Sequence, residues 1–279
     1  MLKKVAILSL AAALLAGAAW ARFDVNRGNI TEDTTWKRSH GPYYIYGDVI
    51  VDGATLTIEA GVEVRFDEVK GTGGYEDGAE IVVKNGGCIV AQGKSGMPVK
   101  FTSANSVKKM GDWGAIIVVG GSQYILNNAV IEYATNGLRF DSTTSNSASG
   151  SSADGTIIRH CLNNGIYAYN AYANLYHVSS EHNGYAGIKT AYNCNLSANY
   201  CDLASNGVYN FFNGSSRNVD ATNCWWGETN TYFIEMRIYD KKDNSTKGVV
   251  DYTPYLEAPW RDAGGVSNYS TGLIKSLFK

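Results

Sequence analysis

The side chains best suited to chemistry lie between Arg139 and Asp202. Glu181 follows Leu175 by six residues, and Asp202 follows Leu196 by six. If those leucines hold equivalent places in successive repeats, the two carboxylates stack about 5 Å apart. Carboxylates at that separation suit retaining glycoside hydrolysis or capture of Ca²⁺. His182 adjoins Glu181, and Arg159 precedes it by one repeat, so both join the catalytic candidates. Acidic turn residues that merely face water give the same pattern. A second group has the chemistry of recognition. With Ile166, Ile188 and Val208 inward, Tyr167, Lys189 and Tyr209 form one outward column, and Tyr169, Ala191 and Phe211 form the next. Arg139, after Leu138, extends the first column. Rings beside cations stack on sugars and pair with acidic groups, although aromatic columns also stabilise a parallel sheet by themselves. Finally, Cys201 and Cys224 each stand five residues after an apolar lead, Leu196 and Val219. Adjacent parallel strands bring such a pair within disulfide reach, and the alternative is buried thiols that pack the interior. Cys161 lies near the same column after a one-residue shift.

The elements that must position these residues are strands. From residue 43 to 119 apolar and polar residues alternate, as in Val49-Ile50-Val51-Asp52 and Val62-Glu63-Val64-Arg65-Phe66. Period-two runs interrupted by Gly or Asp-Gly read as short strands. Beyond Asn127 the chain repeats itself. Asn174-Leu175, Asn195-Leu196 and Asn218-Val219 recur at 21 and 23 residues, and Ile166, Ile188 and Val208 at 22 and 20. Asn-Gly occurs at 136, 164, 183 and 206, the first interval being stretched to 28 by a Ser-rich insertion, residues 142–153. Repeats of 20–23 residues with strand-like content, and without a leucine ladder, predict an all-β parallel solenoid whose coils stack at ~4.8 Å.

Composition agrees. Of 279 residues, 31 are Gly, only 4 are Pro, and 24 are Asn, 18 of these from Asn127 to Asn230. Such a chain makes many tight turns, since Gly and Asn tolerate positive φ. A formal charge of −2 argues against a nucleic-acid partner held through phosphates. The five cysteines contain no C-x-x-C pair, so no metal site is expected from them. Residues 1–21 read as a signal peptide: Lys3 and Lys4, an apolar run from Val5 to Ala19, and Ala19-Trp20-Ala21 as the cleavage site. No other stretch approaches membrane length, so no integral span is expected after cleavage. The expectation is an exported protein, periplasmic, extracellular or at the cell surface. Residues 22–42 read as a lead-in, 43–257 as the solenoid, and 258–279 as a linker and short tail. In the tail Leu273, Ile274, Leu277 and Phe278 share one helical face, suited to capping the solenoid end or to self-association.

Three blocks give the chain a family look: residues 47–62, from Gly47-Asp48-Val49-Ile50-Val51 to Ala60-Gly61-Val62; residues 99–114, from Val99-Lys100-Phe101 to Asp112-Trp113-Gly114; and Asn223-Cys224-Trp225-Trp226-Gly227, followed by Asp251-Tyr252-Thr253-Pro254. In these the chain resembles secreted proteins of the pectin-lyase-like superfamily, nearest the NosD-type repeat group. The resemblance implies a single-stranded, right-handed parallel β-helix over about residues 43–257. It does not imply one activity, because that fold hosts lyases, hydrolases, binding proteins and adhesins. A lyase of this kind would gather acids around Ca²⁺ with an Arg or Lys as base, and no such motif is recognisable here. The expectation is therefore a non-catalytic protein, without cofactor, whose lateral face binds a glycan or cell-surface component. The alternatives are a polysaccharide lyase or hydrolase acting on an acidic polymer, and a structural or adhesive protein that self-associates.

Overall fold

The computed structural model describes residues 22–67, 74–145 and 150–261. The expected signal peptide, and the tail from residue 262 onward, lie outside the described residues.

Every named strand pairs in parallel with a strand one coil away. The coils build three faces. Sheet I has eight strands, from Phe23–Val25 to Asp202–Ala204. Sheet II has nine, from Gly28–Ile30 to Ile238–Tyr239. The third face is split into two four-stranded sheets, one from Thr34–Trp36 to Gln123–Asn127 and one from Tyr172–Tyr176 to Val250–Asp251. The Ser-rich insertion falls at the split, where Ser152 makes a single bridge to Ile125. Pairing begins at Phe23, so the lead-in is itself the first coil.

Alternation explains the strands. In Val49–Asp52 and Glu63–Phe66 every second residue is buried, and these residues meet in one core running the length of the solenoid. The corners are sharp because one residue in each adopts a left-handed backbone. After the sheet I strands these are Tyr133, His160, His182 and Ser205, with φ of 65, 54, 55 and 56°. The Asn-Gly dipeptides do another job. At 136, 164, 183 and 206 neither residue has positive φ, in contrast to Asn85-Gly86, where both do. Asn164 donates to Asn136, and Asn183 to Asn206, forming two buried ladders. The glycines admit the next coil: a Cβ on Gly207 would collide with the Gly184 carbonyl.

Those two ladders stand at different stations of the corner. Asn164 pairs in register with Ala186, and the residue that aligns with Asn183 is Cys161, whose N–H donates to Asn183 Oδ1. Treating the four Asn-Gly pairs as equivalent therefore misplaces the last strand. Phe211, not Val208, is the register partner of Ile188.

Candidate functional site

Sheet II carries one unbroken outward column. Register links Ile50, Val82, Ile117, Arg139, Tyr167, Lys189, Phe212 and Tyr239 in successive coils. Its first part is apolar, with Val82 and Ile117 buried in a small cluster outside the main core. Its second part is aromatic and cationic. Tyr167, Lys189 and Arg139 stand where the sequence put them. Phe211 does not: it is 0% exposed and belongs to the core. Its neighbour Phe212 faces outward opposite Lys189 and stacks on Tyr239 at 4.3 Å and 3°. Tyr209 pairs with Ala186 rather than Lys189, yet its ring meets Tyr185 at 5.8 Å, Phe212 at 5.5 Å and Tyr239 at 5.9 Å. Tyr169 lies outside this group and contacts Tyr192 at 4.6 Å. Tyr185, Phe212 and Tyr239 were missed. The run of aromatics was visible, but which ring faces outward depended on the register.

The two cations of the column differ. Arg139 is neutralised by Glu76 and Asp141, both at 2.8 Å, and lies 5.1 Å from the Tyr75 ring and 5.3 Å from Tyr167. Lys189 has no carboxylate within ion-pair distance among the described residues. Its Nζ is collared by Tyr167, Tyr185 and Phe212 at 5.6, 5.3 and 5.4 Å. A cation so placed is held over ring faces by their quadrupoles and stays available to an external anion or hydroxyl.

The segment that brings Glu76 to Arg139 is fixed by a buried carboxyl. Glu80 accepts the N–H of Tyr75 at 3.0 Å and that of Glu76. Burial, with the nearby carboxylates of Asp48 and Glu76, pushes its pKa from 4.5 up to about 7 against those two hydrogen bonds. The native state therefore holds this proton more tightly than the unfolded chain, and stability falls as pH rises. The contribution of Glu80 is full below pH 4.5 and gone above about 7. Unfolding by urea at pH 5 and pH 8 should show a decline of roughly 2 kcal/mol from this group. In Glu80→Gln that decline should disappear.

The carboxylate pair is not a cleft. Asp202 pairs in register with Ser179, and Glu181 with Ala204, so the two acids are not stacked neighbours. Leu175 pairs with Ala198 and not with Leu196, a slip of two residues. What joins the acids is Arg261, which reaches Glu181 at 3.0 Å, Asp202 at 3.2 Å and Ser179 Oγ at 2.6 Å. The Trp260 N–H donates to Asp202 at 2.9 Å, and the Trp260 ring stacks on His177 at 4.6 Å. Asp202 is 1% exposed. Burial pushes its pKa up to about 6, opposed by Trp260 and Arg261 and reinforced by Glu181. The pair offered as a catalytic candidate is thus the socket of a strap from the chain's own C-terminal part. Arg159 is committed to Glu132 at 3.0 Å. His182 is a corner residue whose ring lies 5.7 Å from that of His160 and is tilted 41° to it.

The cysteines named as a disulfide candidate are adjacent, free and buried, the alternative the sequence also offered. The Cys201 N–H points at Cys224 Sγ, 3.4 Å away, and burial with the neighbouring sulfur pushes the Cys224 pKa well up. Cys161 follows a sheet I strand, Ile157–Arg159, whereas Cys201 precedes one, Asp202–Ala204, so Cys161 stands at the other end of the strands and does not join them. Among the described residues no three His, Cys, Asp or Glu side chains converge as metal ligands, and no helix is long and apolar enough to cross a membrane.

Residues 28–157 match the family model of the pectate-lyase like beta helix domain. No curated protein and no solved structure matches the chain. The matched segment covers the first coils, and the same parallel ladders run on without a break in sheets I and II past its end. Residues 28–157 are thus similar to the pectate-lyase like beta helix domain, and the described chain as a whole folds as a parallel β-helix.

Proposed function

We propose that the chain is a non-catalytic binding protein, exported from the cytoplasm, that holds a glycan or glycosylated surface component on the outer face of sheet II. The observation that carries this reading is the Lys189 collar, with Tyr209 and the stacked Phe212–Tyr239 pair beside it. Ring faces pack against the C–H surface of a pyranose. The unpaired ammonium donates to a hydroxyl or an acidic group. Coil spacing of ~4.8 Å sets one platform per coil along the axis, which favours an extended polymer lying along the solenoid. The strap over Glu181 and Asp202 supports a non-catalytic reading, because Arg261 occupies both carboxylates and Asp202 is buried beneath it.

The test is affinity electrophoresis of the full chain in gels containing neutral or uronic polysaccharides, with reducing ends assayed in parallel. At least one polymer should retard the protein without new reducing ends. Phe212→Ala and Lys189→Ala should each weaken retardation about tenfold, in line with the loss of one ring or one charge contact. Failure of every polymer to retard the protein, or release of new reducing ends, would overturn the reading.

A further inference from the structure

A second surface, on sheet I, has cations in excess and a hollow beside them. Register pairs Glu63 with Lys100 and Arg65 with Thr102, so these four outward side chains form a compact patch. The loop after Ser103 sets Lys108 onto it, with Nζ donating to Thr102 Oγ1 at 2.8 Å and lying 5.7 Å from the Tyr133 ring. The other charges are matched. Lys100 meets Glu132 at 2.9 Å, and Arg65 meets Glu63 at 2.8 Å and the Tyr44 hydroxyl at 2.7 Å. Glu132 is nearly buried. Although burial works to raise its pKa, hydrogen bonds from Lys100, Arg159 and Thr102 hold it below the usual carboxylate range. Lys108 alone in this patch has no carboxylate at ion-pair distance among the described residues. Burial and the repulsion of Lys100 and Arg65 lower its pKa. A partly desolvated ammonium in that position is costly to the free protein and is relieved by a bound anion.

Next to the patch opens a cleft of about 330 Å³ lined by Arg38, Gly41, Pro42, Gly61, Glu63 and Arg65. Patch and cleft share Glu63 and Arg65. We infer that this cleft and the adjoining Lys100–Lys108 patch form a second ligand site, which takes a phosphomonoester. The donors approach from two strands and an overlying loop, so they do not share a plane. A phosphomonoester presents three acceptor oxygens and a charge of about −1.5 to −2 at pH 7, whereas a carboxylate presents two oxygens and a single charge. The surrounding cations, Arg38, Arg65, Lys100, Lys108 and Arg159, outnumber the carboxylates of Glu59, Glu63 and Glu132. The site lies on a different sheet from the aromatic face and does not depend on it.

The test is calorimetric titration of the full chain with glucose 6-phosphate, glucuronate and inorganic phosphate. Glucose 6-phosphate should bind at least tenfold more tightly than glucuronate. Its affinity should rise between pH 5 and pH 7, as the second phosphate proton is lost near pKa 6. Lys108→Gln should weaken it about tenfold, and Lys108→Arg should restore most of it. Inorganic phosphate binding as tightly as the sugar phosphate would support the site and place recognition in the phosphate alone. Equal affinity for glucuronate, no loss in Lys108→Gln, or no binding at all would overturn it.

Discussion

Trp113→Ala should lower the stability of the protein by about 3–5 kcal/mol, the usual range for deleting a fully buried indole. Trp113 is 0% exposed and stacks on Phe66 at 4.0 Å and 6°. Its Nε1–H donates to the Glu132 carbonyl at 2.9 Å. Two losses therefore coincide, a large cavity in the core and a buried carbonyl without its donor. The backbone around it has little freedom to collapse, because a side chain at Gly78, with φ of 104°, would already strike the Trp113 backbone. Urea midpoints of Trp113→Ala and Trp113→Phe separate the two terms. The phenylalanine variant should recover most of the packing and leave a deficit of about 1–3 kcal/mol for the unpaired carbonyl. A loss under 1 kcal/mol in the alanine variant would show that the coil repacks.

Asn206→Ala should cost about 3 kcal/mol, since each buried polar group left without a partner costs about 1–3. Asn206 Oδ1 accepts the backbone N–H of Asn183 at 3.1 Å and its side-chain amide at 3.0 Å. Its own amide donates to Ser180 O at 3.0 Å and Asn210 Oδ1 at 3.2 Å. Four bonds disappear at a site with 1% exposure, where water cannot replace them. The check is thermal unfolding together with hydrogen exchange at the Asn183 amide, which should lose its protection ahead of the strands on either side. Asn206→Asp should be as damaging. It keeps the acceptor and gives up the donor, and it buries a charge as well.

The sequence revealed the inward and outward faces of the strands, and the reason is local. Side chains alternate with period two, so a run such as Val62 to Phe66 declares its own faces wherever it pairs. Register is a relation between runs, and a slip of two residues leaves alternation intact. That is why aligning Leu175 with Leu196 looked sound while placing Glu181 against Asp202. The alignment of Leu196 with Val219 was correct, and with it the adjacency of Cys201 and Cys224. Phe211 and Phe212 show the same limit from the other side. Either ring would satisfy composition, and only the pairing of Phe211 with Ile188 decides that it is inside. Contacts brought by loops were not legible at all. Lys108 on Thr102, Glu76 on Arg139 and Arg261 on Glu181 join residues 6, 63 and 80 positions apart through segments with no period to follow.

The strap also has a mechanical meaning. In a stack of coils each unit is held mainly by its neighbours, so the last one normally frays first. Here Trp260 and Arg261 leave the final coil and grip residues in two earlier ones, Asp202 in one and Ser179 and Glu181 in the one before it. Tension applied beyond residue 261 reaches those coils together, as a sideways load on several strand ladders. The terminal coil is not peeled away one hydrogen bond at a time. Pulled at residue 261, the last coils would resist as a block.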